Sequence, residues 1–577
     1  EAETNKETGP LTYPEQGIFD IGAQHDSDTF HPMYGMLHEV RLYDRAVPLD
    51  ELTRRFADKY DKFNEPIELE TGPYLRFETP TTAHIRWETA GPMPTRLVLL
   101  DRGNSRRFEH DTPTTSHEMI VDDLPRDRML HYYIEKYIEK EVDGVVSNTI
   151  ELELDTHFNF SSPVIPEGAQ PFKDDAAIAS AAKSILNRCE FPRGVCLVIG
   201  NGDGRLAWEL ARQSDLRIIG VDTDTEKVAA AREAFIKAGV YGSRVAVHHV
   251  ESYDKLPFVG RIANMIVSEK LLTIGKASLD MEEAFRVLRP EGGLICLGRP
   301  NGDETFDVDE VSRSLSAVGL EPQTTQDGSG TWITAVRPAL EGAGEWSHLY
   351  GRADNSAFGG EELAGASTTG EMNIQWIGRP GPRAQPDRNG RKPSPLSTGG
   401  RLFVQGLHRI IALDAFNGTV LWALEIPSLE RFNMPRDCSN WCADEQFVYI
   451  AAKDKCWQIN AVTGDIEAFH PVVGGSREDW TYDWGFIAQT DNFVLGSAEK
   501  AGTAFVSFWG DAGAGWYDAR SGPATFKVCS DAVFARRKSD GSPAWSYEEG
   551  VIINSTITVA DGKLCFVESR HPDVKQS

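Results

Sequence analysis

Val195-Cys-Leu-Val-Ile-Gly-Asn-Gly-Asp-Gly-Arg205, followed by Arg217-Ile-Ile-Gly-Val-Asp222, decides the fold of the middle of this chain. The apolar run Val195 to Ile199 reads as a strand, and it ends in a loop holding Gly200, Gly202 and Gly204. Leu206, Leu210 and Ala211 then recur at helical spacing, and Ile218 to Val221 form a second apolar run closed by Asp222. Glycines let backbone approach a ligand closely, and a helix N-terminus adds N–H donors. An acid about twenty residues on can accept hydrogen bonds from ribose hydroxyls. The unit is therefore expected to hold a nucleoside-containing cofactor.

The alternation continues outward. Thr223 and Glu226 have the spacing of a capping box, and Gly239 can end the helix that follows. Val245–Glu251, Ala263–Ser268 and Gly293–Leu297 read as further strands, and a final helix–strand pair spans Val308 to Val336. Strand and helix alternating in this way over 172–338 predict a doubly wound α/β domain.

Three stretches here, in this order, resemble class I S-adenosylmethionine (SAM) methyltransferases. They are the glycine loop with Asp222, Val250-Glu-Ser-Tyr-Asp-Lys-Leu-Pro-Phe258, and Glu282-Glu-Ala-Phe-Arg-Val-Leu-Arg-Pro-Glu-Gly-Gly293. The resemblance implies a Rossmann-like methyltransferase fold. It also implies cofactor contacts at Gly200, Asn201, Gly202, Asp203, Gly204, Asp222, Thr223, Glu251, Ser252 and Ser268, with Glu251 and Ser252 flanking the adenine. Val198 stands where most members of the family carry an acid, and Val-Ile-Gly here is similar to the loop of spermidine synthases. Ser268-Glu-Lys270 replaces the polar-Pro-Pro-aromatic motif of enzymes that methylate exocyclic amines, which disfavours a nucleic-acid acceptor. No catalytic residue is assigned. His248 and His249 sit at a strand end, and methyl transfer needs no general base when positioning supplies the rate.

The flanks are β-rich. Tyr34 to Ala46 alternates like a strand and Pro48 to Phe56 like a short helix; residues 1–63 resemble the C-terminal part of a LamG, or concanavalin A-like, jelly roll. Gly72–Pro80, Ala83–Thr89, Met119–Leu124 and His131–Tyr137 have the two-residue period of a sandwich, with Leu75, Phe77, Ile85, Trp87 and Tyr133 facing inward. Residues 66–155 are similar to the fibronectin-III-like N-terminal domain of purple acid phosphatases, without that family's metal-binding motifs. A Pro-rich linker, 156–171, follows.

In 345–577, Ala412-Leu-Asp-Ala-Phe-Asn-Gly-Thr-Val-Leu-Trp422 aligns with Ala535-Arg-Arg-Lys-Ser-Asp-Gly-Ser-Pro-Ala-Trp545, and Ile459 to Phe469 is a weaker copy. The repeat resembles the blades of pyrroloquinoline-quinone (PQQ)-type β-propellers. About three blades are expected, one of them enlarged, and the tryptophans at 441, 457, 480, 484, 509 and 516 either line a face or fill the packing. PQQ itself is not expected, since no adjacent Cys-Cys pair is present, and no metal site is expected. Three blades and the jelly-roll tail both lack partner strands, so another segment or chain is expected to complete them.

The fold class expected for the whole is thus multidomain α/β plus all-β: a Rossmann-like methyltransferase fold, β-sandwich modules and a partial β-propeller. A chain of 577 residues needs several cores. Its net charge of −28 repels nucleic acid, although 172–338 carries only 24 Asp+Glu against 20 Lys+Arg. No apolar run is long enough to span a membrane. None of the eight cysteines forms a Cys-x-x-Cys motif; Cys438 and Cys442 could close a small disulfide in an oxidising compartment. The β modules point to a periplasmic, cell-envelope or secreted location, and SAM to the cytoplasm. Three functions remain open. One is a SAM-dependent methyltransferase acting on a small molecule or protein partner. The second is a non-catalytic protein whose β domains bind protein or glycan partners around a degenerate methyltransferase domain. The third is a PQQ-type quinoprotein dehydrogenase.

Overall fold

The computed structural model describes residues 23–25, 30–32, 47–48, 51, 67, 69–136, 151–190, 192–275, 279–300, 306–378, 394–406, 408–427, 429, 440–477, 479–501 and 529–576. The strand and helix expected across Tyr34–Phe56 therefore lie almost wholly outside the described residues. The chain divides into two units. The first comprises Glu1–Leu69, Thr89–His117 and Met129–Leu154; the second comprises Glu70–Glu88, Glu118–Arg128 and Asp155–Ser577.

In the first unit β1 (Ala23–His25) pairs antiparallel with β2 (Phe30–Pro32). Strands β3 (Leu69–Thr79), β4 (Thr82–Asp101) and β5 (Asn104–Val121) have residues in both units. The far half of β4 pairs antiparallel with β6 (Met129–Lys136), placing Arg96 opposite Glu135 in a buried ion pair. β7 (Leu152–Asp155) closes the unit. Leu130, Tyr132 and Ile134 hold the inward register of β6. Tyr133, expected inside, is turned to the other face and only partly buried, because strand side chains alternate and a one-residue error inverts every face. On the parts of β3 and β4 that belong to the second unit, Phe77 is likewise only partly buried, whereas Leu75, Ile85 and Trp87 are core residues.

The second unit holds a seven-stranded mixed sheet built from β8 (Arg193–Ile199), β9 (Asp215–Asp222), β10 (Val245–His249), β11 (Met265–Ser268), β12 (Leu294–Arg299), β13 (Gln323–Asp327) and β14 (Gly330–Val336). The order is β10-β9-β8-β11-β12-β14-β13, parallel except where β14 pairs with β12 and β13. The expected last helix–strand pair is thus a helix and a hairpin; β13 is exposed along its length and carries no apolar pattern to announce it. Among the described residues six helices flank the sheet: α1 (Ala176–Leu186), α2 (Arg205–Arg212), α3 (Thr225–Lys237), α4 (Glu269–Ile274), α5 (Met281–Val287) and α6 (Val308–Ala317). Cys196 and Val198 face the layer of α1–α3, while Val195, Leu197 and Ile199 face that of α4–α6. Burial on both faces explains why β8 is apolar throughout. Asp224, not Thr223, caps α3, accepting from the N–H groups of Glu226 and Lys227 at 3.0 and 3.2 Å. The aspartate one residue on outcompetes the threonine for the same donors.

Beyond it lie antiparallel sheets. β15 (Leu396–Thr398), β16 (Arg401–Gly406), β17 (Arg409–Asp414) and β18 (Val420–Glu425) run up and down, and Glu425 pairs with Leu75 of β3. β19 (Trp441–Ala443), β20 (Phe447–Ala452), β21 (Lys455–Asn460) and β22 (Ile466–Pro471) form a second sheet. The third contains β23 (Tyr482–Gln489) and β24 (Phe493–Lys500); after β25 (Cys529–Ser530) come its remaining strands, β26 (Ala532–Arg537) and β27 (Pro543–Tyr547). β25 pairs instead with β28 (Val551–Ile553). The extra length between the second and third repeats falls between β24 and β25, where residues 502–528 lie outside the description.

The three repeat hairpins share one construction. Each has a bulge, at Ala412/Leu413, Gln458/Ile459 and Ala535/Arg536. In each the turn glycine donates its N–H to the carbonyl four residues back, Gly418 to Asp414, Gly464 to Asn460 and Gly541 to Arg537, at 2.8–2.9 Å. An aromatic ring from earlier in the chain covers each glycine: Trp376 over Gly418, Trp422 over Gly464 and His470 over Gly541. The two indoles donate to equivalent carbonyls, Trp376 to Ala415 at 2.9 Å and Trp422 to Ala461 at 3.0 Å. Trp441, Trp457 and Trp484 are buried in the core, Trp480 is only partly buried with Arg477 and Lys500 over its ring, and Trp509 and Trp516 lie outside the description.

One fully buried carboxylate ties the first antiparallel sheet to the mixed sheet. Asp414 accepts from Arg289 Nη1 and Asn264 Nδ2, both at 2.7 Å, and from the backbone N–H groups of Phe416 and Asn417.

Candidate functional site

The neighbours of β8 are β9 and β11, so the chain's crossovers change direction between β8 and β11. In open α/β sheets the crevice outside the carboxyl ends at such a point receives ligands. The glycine loop leaves β8 there. Gly200 has φ +61°, and a Cβ on it would lie 2.7 Å from Lys270 Cβ, so only glycine lets the loop pass this close to α4. Gly204, at φ +91°, opens α2.

Asp222 ends β9 nearly buried, and its carboxylate orders the crevice. Oδ2 accepts from the Gly202 N–H at 2.8 Å and Oδ1 from the Asp224 N–H at 2.9 Å. Each oxygen keeps a further lone pair for a ligand hydroxyl. Thr223 beside it is exposed, as is Asp203 on the loop. Val250 donates its N–H to the Asp222 carbonyl at 3.0 Å, so Glu251, exposed, and Ser252, partly buried, leave β10 along the same edge. Ser268, opposite Ile199 in register, caps α4 by accepting from the Leu271 N–H at 3.1 Å. Its hydroxyl hydrogen and second lone pair remain for a ligand. Asn201 is fully buried over Gly220, and neither of its side-chain polar atoms has a hydrogen-bond partner among the described residues. His249 is exposed opposite Asp222, and His248 lies against Phe258, where burial lowers its pKa.

Two groups not singled out from the sequence complete the crevice. Tyr253 is buried, and its hydroxyl, near Thr223, has no hydrogen bond of normal geometry among the described residues; burial raises its pKa, and the charge of Asp222 adds to this. Glu269 is 5% exposed and reaches under the loop to accept from the Leu206 N–H at 3.1 Å. Burial pushes its carboxyl up to about 8, against the lowering effect of that N–H bond, with Asp203 and Asp222 adding repulsion. At neutral pH it is largely a neutral acid at the N-terminus of α2. Glu269 lies inside the quoted Ser268–Lys270 stretch, directly after β11, without a role read for it. Tyr253 lies inside the quoted Val250–Phe258 stretch.

Two cysteines of this domain lie in its core. Cys196 and Cys296 are buried and their thiols are pushed up in pKa, Cys296 to about 12. Cys442 is a buried free thiol; Cys438 lies outside the described residues. Among the described residues no group of three His, Cys, Asp or Glu side chains is placed to hold a metal, and no helix is long and apolar enough to cross a membrane.

Residues 196–292 match the family model described as "Methyltransferase domain". Similar solved structures include a SAM-dependent methyltransferase assigned in Methanococcus maripaludis (21% identity, covering 29% of this chain and 87% of that one, TM-score 0.25). Another is a SAM-dependent methyltransferase from Aquifex aeolicus (19% identity, 28% and 94%, TM-score 0.25). A third is geranyl diphosphate C-methyltransferase from Streptomyces coelicolor (13% identity, 28% and 76%, TM-score 0.24). No curated protein matches the chain. The chain therefore carries a class I SAM methyltransferase domain around residues 196–292. A domain of that family implies SAM as its cofactor.

The crevice fits that cofactor chemically. It offers a carboxylate with spare acceptor capacity, a glycine-lined approach, and the buried Tyr253 hydroxyl beside Thr223.

Proposed function

We propose that this chain is a SAM-dependent methyltransferase whose acceptor is a small molecule or a protein partner. The observation that carries the reading is Asp222, fixed by Gly202 and Asp224 at the tip of β9 with lone pairs directed to the crevice. In this reading Asp222 holds ribose hydroxyls, Tyr253 gives its unspent hydrogen bond to the adenosine end with Glu251 and Ser252 beside it, and the 200–204 loop carries the amino-acid end. Bound SAM supplies an already activated methyl group, so the chain's task is orientation and exclusion of water. Glu269, largely neutral at pH 7, adds no full negative charge beneath the loop. Titration calorimetry of the full chain with SAM and with its demethylated product tests the reading; no binding of either overturns it.

A second reading is a binding protein that keeps the domain without turnover. Glu269 favours it, because its carboxyl already occupies the N-terminus of α2, where a ligand carboxylate would otherwise find N–H donors. Tight binding with no methyl transfer to any offered acceptor would select it.

The flanking modules extend the proposal. The three similarly built hairpins support reading 345–577 as PQQ-like propeller blades without the quinone, and the inward Leu75, Ile85 and Trp87 support reading 66–155 as a fibronectin-like spacer. Partners on those surfaces, and an envelope or secreted location, belong to the same proposal.

A further inference from the structure

The outer face of β3 and β4 borders a cavity of about 520 Å³, the size of a small-molecule site, whose lining residues all belong to the second unit. Leu75, Ile85 and Trp87 point into the sandwich core, so the alternate residues Arg76, Glu78, His84 and Arg86 face outward. Across from them stand Arg193 and Asp215, the first residues of β8 and β9, with Trp422 of β18 and Asp465 of the second repeat hairpin. β8 is seven residues long, so this cavity lies about 20 Å from the glycine-loop crevice, at the opposite end of the parallel strands.

The charges of the cavity divide by depth. The side chains of Arg193, His84 and Arg76 are 21%, 23% and 32% exposed, whereas their partners Asp215, Glu78 and Asp465 are 48%, 63% and 61% exposed. Arg76 donates from Nη1 to Asp465 Oδ1 at 3.1 Å and from Nη2 to the Gly464 carbonyl. Arg193 donates from Nη2 to Asp215 Oδ2 at 2.7 Å and from Nη1 to the Leu421 carbonyl, and Arg86 from Nη2 to Glu118 Oε1 at 2.8 Å. His84 spans Glu118 Oε1 and Glu78 Oε2 at 2.7 and 2.9 Å; burial lowers its pKa, and these two bonds more than reverse the effect. Burial also lowers the pKa of Arg76, against Asp465, and the charges of Arg86 and Arg193 press the same way, so the three guanidiniums act on one another. Every pair leaves atoms unspent on both sides. The Nε of each arginine makes no hydrogen bond among the described residues, and neither does Nη1 of Arg86. Asp465 Oδ2, Asp215 Oδ1, Glu78 Oε1 and Glu118 Oε2 are likewise open.

Open N–H groups within and open carboxylate oxygens outside define the ligand. Three guanidiniums and an imidazole stand against four carboxylates, so the cavity is near neutral overall. A doubly charged phosphate needs a surplus of positive charge that such a site lacks. A single carboxylate suits the planar guanidinium forks, and hydroxyls on the same molecule can donate to the outer oxygens, which only accept. Phe77, Phe160 and Pro192 add apolar wall for the C–H face of a ring. We propose that this cavity binds an acidic sugar of the uronic acid class, its carboxylate on Arg76 and Arg193 with Arg86 beside them, and its hydroxyls on Asp465, Asp215 and Glu118. The site is separate from the SAM crevice and does not depend on it.

The test titrates the full chain with sugars and reads saturation transfer to the ligand by NMR. Glucuronic acid should bind about tenfold more tightly than glucose, which has the ring and hydroxyls without the charge. It should also bind more tightly than glucose 6-phosphate, which brings a second charge. A uronate trisaccharide separates the two sources of this chemistry: tighter binding than the monosaccharide identifies a glycan chain, equal binding a free sugar acid. Arg76→Gln should weaken glucuronic acid about tenfold. Because Arg76 also holds the Gly464 turn, Arg86→Gln, at a more exposed pair, is the deciding variant if Arg76→Gln folds poorly. SAM calorimetry on the same samples should be unchanged by either variant, and a wild type that binds glucuronic acid and no SAM upholds this site while overturning the other. No saturation transfer to glucuronic acid, equal affinity for glucose, tighter binding of glucose 6-phosphate, or wild-type affinity in both variants overturns the proposal.

Discussion

The mixed sheet and the antiparallel sheets satisfy acids at their strand ends alike and part company at Glu499. At the carboxyl edge of the mixed sheet, Asp222 receives two backbone N–H groups and Glu269 one. A parallel strand that runs into a helix delivers such donors, because loop and first helical turn leave N–H groups unpaired. In the antiparallel region Asp414, at the end of its strand, likewise accepts two backbone N–H groups, from Phe416 and Asn417, and adds Arg289 and Asn264 from the mixed sheet. Glu499, also buried, lies within the ladder strand β24 and has no such donor among the described residues. An acid at a strand end meets the unpaired N–H groups of the turn, whereas one inside a ladder depends on side chains.

The largest expected effect tests the junction. Asp414→Ala removes the carboxylate that Arg289 and Asn264 share and should cost about 3–5 kcal/mol in urea unfolding of the full chain. A loss below about 1 kcal/mol would show that the two sheets do not depend on this carboxylate.

Next comes the crevice edge. Asp222→Ala should weaken SAM binding by about 2–4 kcal/mol in calorimetry, since charge-assisted bonds to two hydroxyls are lost. An unchanged dissociation constant would move the cofactor elsewhere.

The two regions should also answer pH with opposite sign. Between pH 4.5 and about 8 the unfolded chain releases a Glu269 proton that the folded chain keeps, so this group's contribution falls as pH rises. The slope is at most about 1.4 kcal/mol per pH unit. Glu269→Gln should remove it from urea midpoints measured across that window. In the antiparallel region burial lowers His348 and His470 to about 4. Between pH 6.5 and 4 the unfolded chain takes up protons the folded chain refuses, so stability there falls as pH drops. His348→Asn should flatten the acid limb only; one variant flattening both limbs would break the comparison.

The smallest effect concerns a single hydrogen bond. Trp422→Phe keeps a ring over Gly464 but loses the N–H to Ala461, and should cost about 1 kcal/mol in the same unfolding assay.

These differences follow what a sequence can and cannot carry. β8, the glycine loop and Asp222 were legible because a strand buried on both faces is uniformly apolar and its exit needs small residues. The repeat hairpins were legible because their glycines recur in fixed relation to one aromatic. Local competition hid smaller features: Asp224 displaced Thr223 as the cap, and β6 placed Tyr132 inside where its neighbour Tyr133 was expected. Glu269 was not legible, because its role depends on Leu206, which the fold brings beside it from another helix.

The aromatic lids on the hairpins also give the repeats a direction. Trp376, Trp422 and His470 each cover a glycine that comes later in the chain, and none waits for residues still to come. As the polypeptide leaves the ribosome, each new turn can meet its lid as soon as it emerges. Assembly of this region can thus proceed in the order of synthesis, with every finished hairpin holding out the ring that receives the next.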